Sequence, residues 1–248
     1  PLRIVQITDT HYFGDVHQKM LGVNTTASLR RVLTTISNDP IQPELVLVTG
    51  DLSQDNTIES YQHLADDLNT LKLPIYCIPG NHDNFTLMSK TLPRSHVQLT
   101  KHILLDNWQI ILLNSQKVGE SGGFLANEEL QHLSHCLQNF PNHYSLIALH
   151  HPPQQLAEDP SNIAGSLSNG NDFWQLLANH PQVRVILFGH LHSEYSGTED
   201  KIAFFGTPST CVQLMPNRQS IVIDPTPPGY RWVDLYSDGQ FQTGVQRV

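Results

Sequence analysis

The sequence predicts an α/β fold in which two mixed β-sheets face each other and helices cover their outer surfaces, a four-layer α/β/β/α sandwich. Three observations lead there. Short β-branched runs alternate with amphipathic segments through the first 190 residues, the pattern of helices packed on a largely parallel sheet. Beyond about residue 203 the texture changes to short apolar runs separated by Pro and Gly, which reads as antiparallel strands. Finally, polar motifs built from Asp, Asn and His follow almost directly after five of the apolar runs, and α/β sheets bind ligands beyond the carboxyl ends of their strands.

The first strand is Ile4-Val5-Gln6-Ile7. Asn24-Thr25-Thr26 then offers an N-cap to a helix with Leu29, Val32, Leu33 and Ile36 at helical spacing, closed by Asn38-Asp39-Pro40. Val46-Leu47-Val48 precedes a helix marked by Tyr61, Leu64, Leu68 and Leu71, and Ile75-Tyr76-Cys77-Ile78 is the next strand. Ile110-Ile111-Leu112-Leu113 leads to a helix with Leu130, Leu133 and Leu137 behind an Asn127-Glu128-Glu129 start. Leu146-Ile147-Ala148-Leu149 and Val185-Ile186-Leu187-Phe188 are further core strands. Antiparallel strands are expected at Phe204-Phe205, Ser220-Ile221-Val222-Ile223, Tyr230–Tyr236 and Phe241–Val245. Pro225-Thr226-Pro227-Pro228-Gly229, whose prolines fix φ and delete backbone donors, reads as a turn or exposed loop.

The 248 residues are expected to form one domain, 1–248, since no linker, repeat or low-complexity tract divides them. A chain of that length buries roughly 70 to 75 % of its unfolded surface, so it folds without disulfides or metal as staples. The net charge of −9 argues against a long nucleic acid as partner, because such binding needs a dense Lys/Arg surface. A small anionic substrate must then be drawn in locally, and two divalent cations would reverse the potential at one point. Cys77, Cys136 and Cys211 are odd in number and in no Cys-x-x-Cys spacing, which disfavours disulfides and zinc-thiolate sites and suggests buried, reduced thiols. No apolar stretch reaches 18 residues, so a soluble cytoplasmic protein without membrane attachment is the expectation.

The five motifs are Asp9-Thr10-His11, Gly50-Asp51, Gly80-Asn81-His82-Asp83, His150-His151 and Gly189-His190-Leu191-His192. Each alone is an ordinary turn or a chance pairing. Together they offer Asp9, His11, Asp51, Asn81, His150, His190 and His192, all N or O donors suited to borderline-hard divalent metals. Seven side chains exceed the four of a structural zinc cage, and no thiolate is among them, so two ions sharing a carboxylate is the better count. If the strand continues through Asp9 and His11, both project to one side and grip one ion; His190 and His192 repeat that spacing. Asp83, Asp55 and Ser53 stand beside ligands and are expected either to orient histidine N–H groups or to serve as turn residues.

In this order, Asp-x-His, Gly-Asp, Gly-Asn-His-Asp, His-His and Gly-His-x-His resemble the calcineurin-type binuclear metallophosphoesterases over residues 4 to 192. Leu21-Gly22-Val23-Asn24-Thr25 and Thr207-Pro208-Ser209-Thr210-Cys211-Val212-Gln213 resemble, more narrowly, the bacterial class III cyclic AMP phosphodiesterases. That resemblance implies one ion held by Asp9, His11 and His192, a second by Asn81, His150 and His190, and Asp51 bridging both. It implies hydrolysis of 3′,5′-cyclic AMP to AMP by attack of a metal-bridging hydroxide on phosphorus, with His82 over the phosphate to stabilise charge or protonate the departing oxygen. His11, Asp51, Asn81, His82 and His192 would face the substrate. Fe²⁺ or Mn²⁺ is favoured as the ion, with Zn²⁺ and Co²⁺ also accommodated by this ligation.

Two other functions stay open on sequence: a broader phosphodiesterase for 2′,3′-cyclic nucleotides or glycerophosphodiesters, and a non-catalytic scaffold, which a full ligand set disfavours. In the resembled family the C-terminal strands and loops edge the cleft or build a dimer contact, so a homodimer is a further expectation. Asn114-Ser115 departs from the family's Asp-Ser, at a position outside the ligand set. His151 is expected behind the ligands or facing the substrate, Asn24 as a helix cap rather than a substrate contact, and Cys211 as packing. His17, His63, His96, His102, His132, His135, His143 and His180 are expected to be solvated.

Overall fold

The computed structural model describes residues 1–156, 165–215 and 221–248. The chain alternates strand and helix: β1 (Leu2–Ile7), a short ladder of β2 (Lys19–Met20) with β3 (Val23–Asn24), α1 (Thr25–Ser37), β4 (Leu45–Thr49), α2 (Ile58–Leu68), β5 (Ile75–Ile78), α3 (Phe85–Thr91) and β6 (Val97–Gln98). A second series follows: β7 (His102–Leu105), β8 (Trp108–Leu112), α4 (Asn127–Asn139), β9 (Tyr144–Ala148), α5 (Gly170–Leu177), β10 (Val183–Phe188), β11 (Tyr195–Glu199) and β12 (Ile202–Gly206). A two-stranded ladder of β13 (Gln213–Leu214) with β14 (Ile223–Asp224) precedes β15 (Gly229–Leu235) and β16 (Phe241–Arg247).

The strands form two six-stranded mixed sheets, ordered β16-β15-β1-β4-β5-β6 and β11-β12-β10-β9-β8-β7. Alternation along each strand divides the core into layers. Val5 and Ile7 of β1 with Val46 and Val48 of β4 face α1 and α2, while Ile4, Leu45 and Leu47 face the other sheet and meet Leu112, Leu146, Val185 and Leu187 there. Ile111, Ile147, Ile186 and Phe188 pack outward on Leu133, Leu137 and Phe173 of α4 and α5. Three apolar layers between four structural ones are the predicted sandwich, and strands buried on both faces read as continuous apolar runs for that reason.

Helix α1 begins as its sequence dictates: Asn24 sits extended and its side chain accepts from Ala27 N–H at 2.7 Å, while Asn38 closes the other end. Strand direction after residue 202 departs from expectation. Ile202–Gly206 pairs antiparallel with β11 but parallel with β10, because Tyr195–Glu199 reverses the chain once before β12 and its polar residues carry no apolar signal. β15 is antiparallel to both β1 and β16, as predicted. The predicted strand 220–223 reduces to Ile223–Asp224, and Ser220 lies outside the described residues.

Because β1, β4 and β5 are mutually parallel and β9 and β10 are parallel, their carboxyl ends present the five motifs. Among the described residues no helix is long and apolar enough to cross a membrane.

Candidate metal centre

All eight residues singled out for the site converge. Asp9, His11 and His192 place ligand atoms within 4.8 Å of one another, as do Asp9, Asp51 and His150, and His11, Asp51 and His82. Asn81 Oδ1 lies 3.1 Å from His150 Nε2, and the His150 and His190 rings are 5.2 Å apart. Asp9, His11, Asp51, His150 and His192 are buried, whereas Asn81, His82 and His190 are half-buried.

Backbone geometry at the rim differs from the sequence expectation. β1 stops at Ile7, so Asp9 and His11 share a side for another reason: both are left-handed, with φ of 54° and 45°. His190 and His192 repeat this at 69° and 51°, and Asp51 has φ 50°. Each such non-glycine residue costs on the order of 1 kcal/mol or more and persists only where surroundings enforce it. Here Asp9 N–H donates to Gly50 O at 3.0 Å and His11 N–H to Asp51 O at 2.9 Å, which stitches the first two motifs together. The motif glycines answer to crowding: a Cβ at Gly80 would collide with Asp51 Oδ1, and one at Gly189 with Thr8 Oγ1.

The imidazoles are aimed by their far nitrogens. His150 Nδ1 donates to Thr49 O at 2.7 Å and His192 Nδ1 to Val212 O at 2.8 Å, while His11 Nδ1 faces Gln54 Oε1 at 2.7 Å. A backbone carbonyl only accepts, so Nε2 of neutral His150 and His192 carries a lone pair. Those lone pairs face other acceptors: His150 Nε2 lies 3.4 Å from Asp51 Oδ1, and His192 Nε2 lies 3.3 Å from Asp9 Oδ1 and 3.0 Å from His11 Nε2. Asp9 Oδ1 and His190 Nδ1 are buried without a hydrogen-bond partner. Acceptors converging on acceptors need a cation or a proton between them, and the donor set fits a divalent metal.

Titration follows from the same contacts. Burial pushes Asp51 and Asp9 up, yet His150 facing the first and His192 facing the second hold both below the ordinary carboxylate range. His150 is raised to about 9 by Asp51 against the effect of burial, and His192 is raised by Asp9 in the same way. His11 and His190 are lowered to about 4, chiefly by burial.

Three positions that the sequence leaves open between two roles now have partners. Asp83 touches no histidine; its carboxylate accepts from Gly80 N–H at 2.8 Å, from Leu52 and Ser53 N–H at 3.0 Å, and from Tyr61 OH at 3.1 Å, so it ties two ligand loops together. Burial, then the charge of Asp51, raises its carboxyl to about 6. Asp55 and Ser53 make turn contacts: Asp55 accepts from Gly14 and Thr57 N–H, and Ser53 Oγ accepts from Asn56 N–H. His151 is fully buried rather than open to the cleft, with Nδ1 2.8 Å from Ser115 Oγ. Of the histidines outside the motifs, His17, His96 and His135 are exposed and the other five half-buried. Cys211 is buried packing, as expected.

Sequence reasoning missed Gln54, Thr8 and Gln116. Thr8 Oγ1 donates to Asp9 Oδ2 at 2.7 Å, and Gln116 reaches the loop carrying Asn81. Only Thr8, adjacent to a ligand, stood where a motif could have pointed to it.

The profile of the calcineurin-like phosphoesterases matches residues 2–194, and the chain belongs to that family. It is 37 % identical, over its whole length and 93 % of the relative, to the 3′,5′-cyclic-nucleotide phosphodiesterase alr5338 of Nostoc sp.. It is 36 % identical to the 3′,5′-cyclic adenosine monophosphate phosphodiesterase CpdA of Haemophilus influenzae and 35 % identical to that of Escherichia coli K12, spanning all of this chain and 90 % of each relative. In three dimensions it is similar to a dimetal phosphatase from Danio rerio, with a TM-score of 0.71 at 15 % identity over 95 % of this chain and 93 % of the other.

Proposed function

We propose that this chain is a 3′,5′-cyclic AMP phosphodiesterase whose centre takes two divalent cations, one at Asp9, His11 and His192 and one at Asn81, His150 and His190, with Asp51 shared. The observation that carries this reading is the placement of Asp51: Oδ1 faces His150 Nε2 at 3.4 Å while Oδ2 faces His11 Nε2 at 3.7 Å, so each oxygen addresses a different group of ligands. The N and O donors suit Fe²⁺ or Mn²⁺, and Zn²⁺ or Co²⁺ as well. The substrate class follows from the names of the full-length relatives.

Divalent ions so held polarise a phosphoryl oxygen and make water a nucleophile near neutral pH. The remaining work belongs to the protein. His82 stands beside His11 with ring centroids 5.1 Å apart, and its backbone N–H donates to Asp51 Oδ1 at 2.9 Å. Its half-buried ring, grouped with His11 and Asp51, would donate a proton to the ribose 3′-oxygen as the P–O3′ bond breaks. Asn81 and the ligand histidines orient the phosphate, and the departing oxygen stays attached as a hydroxyl of AMP.

The test is a metal count per chain together with kcat/KM on 3′,5′-cyclic AMP, 2′,3′-cyclic AMP, glycerophosphodiesters and bis-p-nitrophenyl phosphate. Two ions per chain and a preference for the 3′,5′-cyclic nucleotide are expected. A single ion would refute the shared carboxylate, a flat profile would replace the substrate with a broad diester class, and inertness of loaded protein would leave a scaffold.

A further inference from the structure

We infer that Gln116 is a positioning residue for His82, fixing from the opposite sheet the loop that carries Asn81 and His82; this rests on the phosphodiesterase reading above. Loop 80–83 follows β5 in the first sheet, and most of its anchors are local. His82 N–H reaches Asp51, the Asp83 carboxylate gathers three backbone N–H groups, and Asn84 N–H donates to Tyr61 OH at 2.9 Å. Gln116 comes from elsewhere, beyond the end of β8 in the second sheet. Its side-chain amide donates to Gly80 O at 2.8 Å and to Asp83 O, so one carboxamide brackets Asn81 and His82. Both partners are carbonyls, which requires the nitrogen and not the oxygen to face them.

The base of Gln116 is itself immobilised. Its N–H donates to Asn114 Oδ1 at 2.9 Å, and Asn114 N–H donates to Glu129 Oε2 of α4 at 2.9 Å. The other oxygen of Glu129 pairs with Lys101 at 2.6 Å, and Phe124 N–H donates to Ser115 O at 3.0 Å. Asn114, where the family pattern has Asp, still supplies the acceptor this turn needs. Among the described residues, the other hydrogen bond between loop 80–83 and the second sheet is the ligand pair His150 and Asn81. Gln116 therefore shares with that pair the work of keeping His82 in register with the second sheet, and does so without being a proposed ligand itself.

Misplacing a reacting group by about 1 Å costs up to ~10²-fold in rate, and the cost falls most on leaving groups that need a proton. The test compares wild type, Gln116→Met and Gln116→Glu on cyclic AMP, which expels an alkoxide, and on bis-p-nitrophenyl phosphate, which expels a stable phenolate. Gln116→Met fills the space without donors, and Gln116→Glu sets a carboxylate against two carbonyls. Both should keep their metal and their KM, lose ~10-fold or more of kcat on cyclic AMP, and lose several-fold less on the aryl diester. The Glu variant should be the slower of the two. In a His82→Ala background Gln116→Met should add no further loss. Equal losses on both substrates, losses that multiply with His82→Ala, or loss of metal would overturn the inference. A wild-type protein inert towards both diesters would instead overturn the reading beneath it, and the inference with it.

Discussion

Asp9, His11, Asp51 and Asn81 reach the centre from β1, β4 and β5 of the first sheet, and His150, His190 and His192 reach it from β9 and β10 of the second. The first group holds both carboxylates and the amide; the second is imidazole alone. Their supports differ too: the loops after β4 and β5 wrap a buried carboxylate, Asp83, whereas His150 and His192 hang from the backbone carbonyls of Thr49 and Val212. The carboxylate half sets the charge that makes a cation welcome in a buried place. On the proposed reading, the imidazole half would add the directions in which that cation is held.

The division predicts unequal consequences of damage. Asp51→Ala removes the carboxylate whose two oxygens face His150 and His11, one in each proposed ligand group, so metal content and activity should fall together. Several kcal/mol of transition-state stabilisation go with it, a factor of roughly 10⁴ in kcat/KM. A variant that retained the wild-type metal content would break the comparison at its root. His82→Ala should leave the metal count unchanged and lower kcat by ~10² to 10⁴-fold; activity falling only in proportion to lost metal would remove His82 from the chemistry.

Much of this division was legible in the sequence because strands and ligands are local patterns. Ile4–Ile7 and Val185–Phe188 read as buried strands, and a donor motif after each marks the rim. The Asn24 cap was legible for the same reason, since its partner is three residues away. What sequence spacing cannot separate is a continuing strand from a left-handed turn, so the condition placed on Asp9 and His11, that the strand runs through them, is settled only by the backbone, which leaves β1 at Ile7. Gln54, Asp83 and Gln116 act across 30 or more residues, on His11, on Leu52 and Ser53, and on Gly80, and no local pattern announces such a contact. The parallel course of β12 was hidden for a different reason: β11, Tyr-Ser-Gly-Thr-Glu, is an edge strand and reads as a loop.

Asp83→Asn probes the support of the carboxylate half. An amide NH₂ would then stand against a backbone N–H of Gly80 or of Leu52 and Ser53, leaving a buried donor unpaired at a cost of about 3 kcal/mol. Thermal or urea unfolding of the metal-free protein would register this. A loss no larger than that of an exposed substitution, within ~0.5 kcal/mol, would show that the loops hold without it.

The imidazole half should announce itself through protons. His150, raised to about 9 by Asp51 against burial, is protonated at neutral pH when no cation is present, and Asp9 shifts His192 in the same direction. His11 and His190, lowered to about 4, are already neutral, and Asp9 and Asp51 are already ionised. A cation needs the Nε2 lone pairs of His150 and His192, so binding must expel the His150 proton and any held by His192. Apparent affinity should therefore rise about tenfold per pH unit for each proton displaced, up to pH ~9. Calorimetric titration of metal into apo protein, in buffers of differing ionisation enthalpy, would count the protons at pH 7. At least one is expected, from His150 in the second sheet. No release between pH 6 and 8 would mean that the imidazoles wait unprotonated, and that the two halves differ in composition but not in the work they do before the metal arrives.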